Sequence, residues 1–184
     1  AGFDLETDVR IQNGDVIIKH DPLLGQEDLI HLEDVLRLLQ LYDKKRIALH
    51  FKDRSIEGSL LLKNIVDVIA PFTDQVFLFD ISRNLCQELK KINKNIKTGV
   101  SVGDKKYHDR FCDLEEALKS DSIDIIWADE YRNLYSRDFF DICHGRGKIV
   151  YCISPDLAGV VGHPRAEHGY QETWKNLIKW GADG

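Results

Sequence analysis

The sequence has no methionine, and only four prolines and four cysteines among its 184 residues. Cys86, Cys112, Cys143 and Cys152 form no C-x-x-C pair. They are too sparse for a disulfide framework or a zinc cluster, and reduced thiols are expected. Basic residues number 25 against 31 acidic ones, for a net charge of -6, and they form no run longer than three. That excludes broad contact with a nucleic-acid backbone. No stretch approaches the roughly 18 apolar residues of a membrane span. The charged, apolar and small-residue order of a signal peptide is also missing, which favours the cytoplasm. Neither a Gly-rich dinucleotide turn nor a GxxxxGK[ST] phosphate loop occurs. With no methionine at position 1, and segments of structured character at both ends (Ala1 to Leu5, Trp180 to Gly184), a piece of a longer chain is expected. Oligomeric state leaves no trace in the sequence.

What is present is ordinary globular material, 43% hydrophobic and 30% charged, in a length that suits a single domain. β-rich runs alternate with amphipathic ones. Phe3 to Ile11 and Val16 to His20 flank Asn13-Gly14, the strongest short hairpin signal. Helical spacing covers Glu27 to Leu41, Glu57 to Ala70, Asn84 to Ile92, Asp113 to Lys119, Ser136 to Cys143 and Gln171 to Trp180. Strands are expected at Arg46 to Phe51, Gln75 to Ile81, Lys97 to Val102, Ile123 to Ala128 and Lys148 to Ile153. A strand and a helix every 25 residues or so is the rhythm of a parallel α/β sheet.

Polar residues at the strand ends favour a (β/α)8 barrel over an open doubly wound sheet. Glu6 and Asp8 come late in the first run, His50 and Lys52 end the next parallel strand, and Asp80 and Ser82 follow the one after. Asp129 and Glu130 follow Trp127, and Ser154 follows Ile153. Buried strands that end in charged residues are hard to explain by packing. A whole barrel takes about 250 residues. The expectation is therefore an incomplete TIM-type barrel, with the first and last strand–helix units largely missing.

Glu6 and Asp8, two apart on a strand, point the same way. Two carboxylates on one face repel unless a cation sits between them, and a hard divalent ion wants such oxygens. A solvated outer face explains the pair equally well. The place of His20 depends on the hairpin. A two-residue turn sets Thr7 opposite His20 and aims both carboxylates away from it. A three-residue loop with a bulge at Gly14 sets Glu6 opposite His20 and puts all three on one face.

The stretch Phe3-Asp-Leu-Glu-Thr-Asp-Val-Arg10, with Asn13-Gly14 and the strand ending His20-Asp21-Pro22, resembles the glycerophosphodiester phosphodiesterase family, which is related to the phosphatidylinositol phosphodiesterases. That family carries E-x-D-V, a D/N-G turn and a strand ending H-D. Leu32-Glu-Asp-Val-Leu36 is similar to its L-E-E-V-L, and Arg46 to Lys52 lies where it has a strand ending E-I-K. Trp180 to Gly184 resembles its G-x-D-G. The likeness is specific over residues 3–22 and looser afterwards.

This resemblance implies a metal-dependent hydrolase of glycerophosphodiesters or related phospholipid and polyol phosphodiesters, a small-molecule substrate, and Mg²⁺ or Ca²⁺, with Mn²⁺ as a further candidate. It makes Glu6 and Asp8 metal ligands, His20 one of two acid–base histidines, and Lys52 a charge stabiliser on the phosphate. The chain departs from the family in three ways. The family's other histidine sits in an H-R-G motif upstream of E-x-D, where this sequence has nothing. His50 stands where the family has its third metal carboxylate, so the metal set becomes Glu6, Asp8 and His50, with Asp80 able to supply the lost oxygen. The hairpin is about one residue short. The rival readings are a catalytically impaired barrel that binds a phosphorylated ligand and an unrelated barrel enzyme of sugar metabolism.

Other residues carry weaker signals. Asp80 could instead cap the following helix. Trp127 suits either a polyol platform or, better, the core. Asp156, His163, Arg165 and His168 lie in a long loop that could contact substrate or simply move. His31 on a helix, His108 in a loop and His144 at a helix end have no role assigned.

Overall fold

The computed structural model describes residues 4–22, 24, 28–42, 45–52, 60–103, 112–129, 135–154 and 169–184. Within these the fold is mixed α/β, with eight strands and six α-helices. The chain divides into two compact units, Ala1–Thr98 and Gly99–Gly184.

In the first unit, β1 (Leu5–Gln12) lies between β2 (Asp15–Ile18), to which it is antiparallel, and β4 (Ile47–Phe51), to which it is parallel. β4 pairs in parallel with β5 (Val76–Phe79), and β5 with Lys97 and Thr98 at the start of β6 (Lys97–Gly103). All four residues of β5 are buried, as its unbroken apolar run requires. Helix α1 (Leu32–Leu39) buries Leu32, Leu36 and Leu39, the i, i+4, i+7 stripe of an amphipathic helix. Helix α2 (Leu60–Ile69) is followed by a 3-10 turn, Ala70–Phe72, around Pro71. The start expected for α2, residues 57–59, lies outside the described residues. Helix α3 (Arg83–Ile92) begins where the Ser82 hydroxyl accepts a hydrogen bond from Leu85 N.

The first expected helix was too long at its start. Ile30 and His31 form a short strand, β3, against Ile18 and Ile17. His31 is therefore a strand residue and the N-cap of α1, not a helical one. Strand pairing satisfies backbone groups there that the helical pattern of Glu27 to His31 leaves out of account.

The hairpin uses the two-residue turn. Gln12 pairs with Asp15, and Asn13 and Gly14 have φ of 52° and 93°. Positive φ at both positions marks a type I′ turn, which Asn-Gly favours. The side chain of Asn64 donates to the Gly14 carbonyl at 3.3 Å. A Cβ on Gly14 would meet that amide at 3.4 Å and force an L-residue into the left-handed region. Gly14→Ala is expected to destabilise the protein by about 1–2 kcal/mol. A urea melt checks it through a lower midpoint at unchanged slope.

In the second unit, β6, β7 (Ile125–Asp129) and β8 (Ile149–Cys152) run parallel. Helices α4 (Leu114–Lys119) and α5 (Arg137–Gly145) are capped by the side chains of Asp113 and Ser136. Phe140 of α5 is fully buried against Phe139 and Trp180 of α6 (Tyr170–Trp180). Lys148 is buried, and its ammonium donates to the carbonyls of Ser120 and Ile123, both at 2.7 Å. The last two residues lie along β8. Asp183 N donates to Val150 O, and Cys152 N donates to Gly184 O, both at 2.9 Å. Asp183 also accepts from Val150 N through its side chain. No helix among the described residues is long and apolar enough to cross a membrane.

Candidate active site

The parallel register sets Asp8 beside His50, and His50 beside Phe79, so these side chains project from one face of adjacent strands. Glu6 shares the face by its two-residue offset from Asp8. Lys52 is two residues beyond His50, and its amide still pairs with the Val9 carbonyl at 3.0 Å. Pairing therefore continues past the end of β4 and fixes where Lys52 stands.

Asp8 is the hub. Its Oδ1 lies 2.9 Å from Lys52 Nζ and 3.0 Å from His50 Nδ1. Lys52 Nζ also lies 3.2 Å from His50 Nδ1. On the other side of the ring, His50 Nε2 meets Asp80 Oδ2 at 2.8 Å. One ligand atom each from Glu6, Asp8 and His50 fall within 4.8 Å of one another, a spacing that could hold a metal ion. Desolvation, and then the neighbouring charge of Asp8, push the Glu6 carboxyl above the ordinary Glu range. Two carboxylates brought together in this way favour a counter-cation.

Asp80 does not cap α3, because Ser82 does. It stands behind His50 with φ of 54°, a left-handed conformation that Asp tolerates better than most residues. This backbone turn at the end of β5 directs its carboxylate, which is almost fully buried, at the imidazole.

The hairpin register refines the expectation for His20. The two-residue turn does set Thr7 opposite residue 20 by extension, yet His20 Nε2 comes within 3.8 Å of Asp8 Oδ2. β2 ends at Ile18, so residue 20 is free of the strand's alternation. Arg10 holds it there by donating to the His20 carbonyl from Nε at 3.1 Å and Nη2 at 2.8 Å. Asp21 Oδ1 meets His20 Nδ1 at 2.8 Å. That hydrogen bond holds the Asp21 carboxyl below the ordinary Asp range. Sequence reasoning assigned no role to Arg10 or Asp21. The His-Asp dipeptide was a usable signal for Asp21, whereas nothing in the sequence singled out Arg10.

The weaker candidates lie apart from this cluster in sequence. Trp127 is half-buried and stacks on Tyr151, with centroids 6.0 Å apart and planes at 8°. Asp129 is buried at the end of β7. Ser154 accepts a hydrogen bond from the Trp174 indole at 2.7 Å. Glu130, His108 and the loop with Asp156, His163, Arg165 and His168 lie outside the described residues. None of the four cysteines is in a disulfide, and burial pushes the Cys143 thiol up to about 11, which disfavours its thiolate.

Neighbouring parallel strands that gather carboxylates, histidines and a lysine on one face have the layout seen on the active face of TIM-barrel folds. Solved structures share this fold. The chain shares its fold with a protein from Galdieria sulphuraria assigned as a glycerophosphodiester phosphodiesterase, at TM-score 0.69 and 12% identity, covering 98% of this chain and 80% of the other. A glycerophosphodiester phosphodiesterase from Parabacteroides distasonis matches at TM-score 0.63 and 13% identity, over 96% and 84% of the two chains. That from Agrobacterium tumefaciens matches at TM-score 0.54 and 12% identity, over 81% and 73%. No family model and no curated protein sequence matches the chain.

Proposed function

We propose that this chain is a phosphodiester hydrolase of the (β/α)8 type, acting on glycerophosphodiesters or related phospholipid and polyol phosphodiesters. One observation carries the reading. Asp8, His20, His50, Lys52 and Asp80 are joined by close contacts around neighbouring strands, with Glu6 within reach of the same ion position, in a fold shared with solved phosphodiesterases.

In this reading Glu6, Asp8 and His50 hold a divalent cation, which when bound polarises a phosphoryl oxygen. Lys52 places its ammonium against the phosphate and offsets the charge that builds there. Water attacks phosphorus, the bond from phosphorus to the departing alcohol's oxygen breaks, and the alkoxide needs a proton. His20 gives that proton from Nε2 and is reprotonated by the one the attacking water releases, while Asp21 anchors the opposite nitrogen and orients the ring. Asp80 orients His50 in the same manner.

A second reading, a barrel that binds a phosphorylated ligand without cleaving it, is favoured by one feature. A histidine, His50, stands between Asp8 and Asp80 at the centre of the cluster. Turnover separates the two. The chain is incubated with glycerophosphodiesters and Mg²⁺, Ca²⁺ or Mn²⁺, and release of the alcohol is followed. The first reading expects hydrolysis that a chelator abolishes and added metal restores. Ligand binding without hydrolysis under every metal would sink it in favour of the second.

A further inference from the structure

We propose that the cation of this site is a borderline divalent transition ion, such as Mn²⁺ or Co²⁺, bound through His50 Nδ1 and selected by that nitrogen over Mg²⁺ and Ca²⁺. The proposal rests on the metal-dependent reading above and names the class of metal.

The ring's two nitrogens face different groups. Nε2 lies 2.8 Å from the buried Asp80 carboxylate, an acceptor, so Nε2 carries the proton. Nδ1 faces the Lys52 ammonium at 3.2 Å and the Asp8 carboxylate at 3.0 Å, so it is the nitrogen turned toward the other donors of the cation position. This is the arrangement of a metal-binding histidine, whose outer nitrogen donates to a carboxylate that fixes the tautomer and strengthens the inner one.

The inner side has the matching geometry. Nδ1 and Asp8 Oδ1 lie 3.0 Å apart. Two donors bound at right angles to one ion, each at the usual distance of about 2.1 Å, are separated by about 3.0 Å. The Lys52 ammonium bridges these two atoms and Glu6 completes the set, so the protein already places a positive group where the donors converge. Two oxygens and an imidazole nitrogen suit Mn²⁺, Co²⁺ or Zn²⁺. Mg²⁺ and Ca²⁺ prefer an all-oxygen shell.

The test is metal titration of the full chain by calorimetry, with pulsed EPR of the Mn²⁺ form to detect a bound nitrogen. Mn²⁺ and Co²⁺ should bind at least about 30-fold tighter than Mg²⁺ or Ca²⁺, with a nitrogen modulation in the EPR signal. His50→Glu should remove the modulation and cut the preference to a few-fold. Asp80→Asn, a milder change, should keep the modulation while weakening Mn²⁺ by about 10–100-fold. Binding without nitrogen modulation, or a preference that His50→Glu leaves unchanged, would overturn the assignment and leave metal dependence standing. Should neither wild type nor His50→Glu bind any of the four ions, the metal-dependent reading itself fails. A circular-dichroism melt of each variant confirms that it is folded.

Discussion

Asp8→Asn is expected to lower kcat/KM for phosphodiester hydrolysis by about a thousand-fold or more, corresponding to roughly 4 kcal/mol in the barrier. The change is nearly isosteric, so the fold should hold. What it removes is the charge at the hub. Asp8 contacts Lys52 and His50 through one oxygen and faces His20 with the other. An amide there would offer weaker binding to a cation and a poorer partner to the ammonium. Lys52 and His50 would then share a site with one fewer negative charge. Steady-state kinetics on purified variant and wild type, with equal melting temperatures, supply the check. A variant that retains more than about a tenth of wild-type kcat/KM would place the chemistry elsewhere.

The second large effect is on stability. Phe140→Ala should cost about 3–5 kcal/mol, because a fully buried aromatic ring is deleted from a packed core. Phe140 meets Phe139 edge-on at 5.6 Å and Trp180 at 6.1 Å, so the cavity would open between α5 and α6. A drop of roughly 10 °C in melting temperature is expected for a chain of this size. A drop of less than about 2 °C would mean the helices collapse to fill the gap. The site residues lie in the other unit, so metal affinity measured well below the transition should stay at its wild-type value.

Much of the fold was legible because the elements carry local signals. β5 reads as a strand from Val76-Phe-Leu-Phe79 alone, since burial of both faces leaves no room for polar residues. The starts of α4 and α5 are marked by Asp113 and Ser136, each of which caps its helix in the structure, whereas the cap of α3 is Ser82 and not the Asp80 that the sequence offered. The start of α1 was not legible. The apolar spacing runs back through Leu29, but the pairing of Ile30 and His31 with β2 decides the matter, and pairing is not a local property.

The candidate site divides along the same line. Glu6, Asp8, His50 and Lys52 come together because strand alternation and parallel register are simple rules, and both follow from the sequence pattern. The neighbourhood of His20 does not, because it depends on the path of the chain beyond Ile18 and on the grip of Arg10. Nor does the part played by Asp80, whose aim comes from a left-handed backbone at a residue that is not glycine. Pattern reading offered metal ligand or helix cap. The structure puts the carboxylate against the outer face of His50, a position that only three-dimensional geometry reveals.

Residues 183 and 184, laid along β8, have a bearing on the local stability of that strand. Here the amides of Val150 and Cys152 and the carbonyl of Val150 are already engaged by Asp183 and Gly184. The side chain of Asp183 also sets a negative charge at that margin, 3.2 Å from His144. Asp183 and Gly184 thus fasten the turn after α6 to β8 through three hydrogen bonds, and faster amide exchange at Val150 and Cys152 is the consequence to expect of any variant that loosens them.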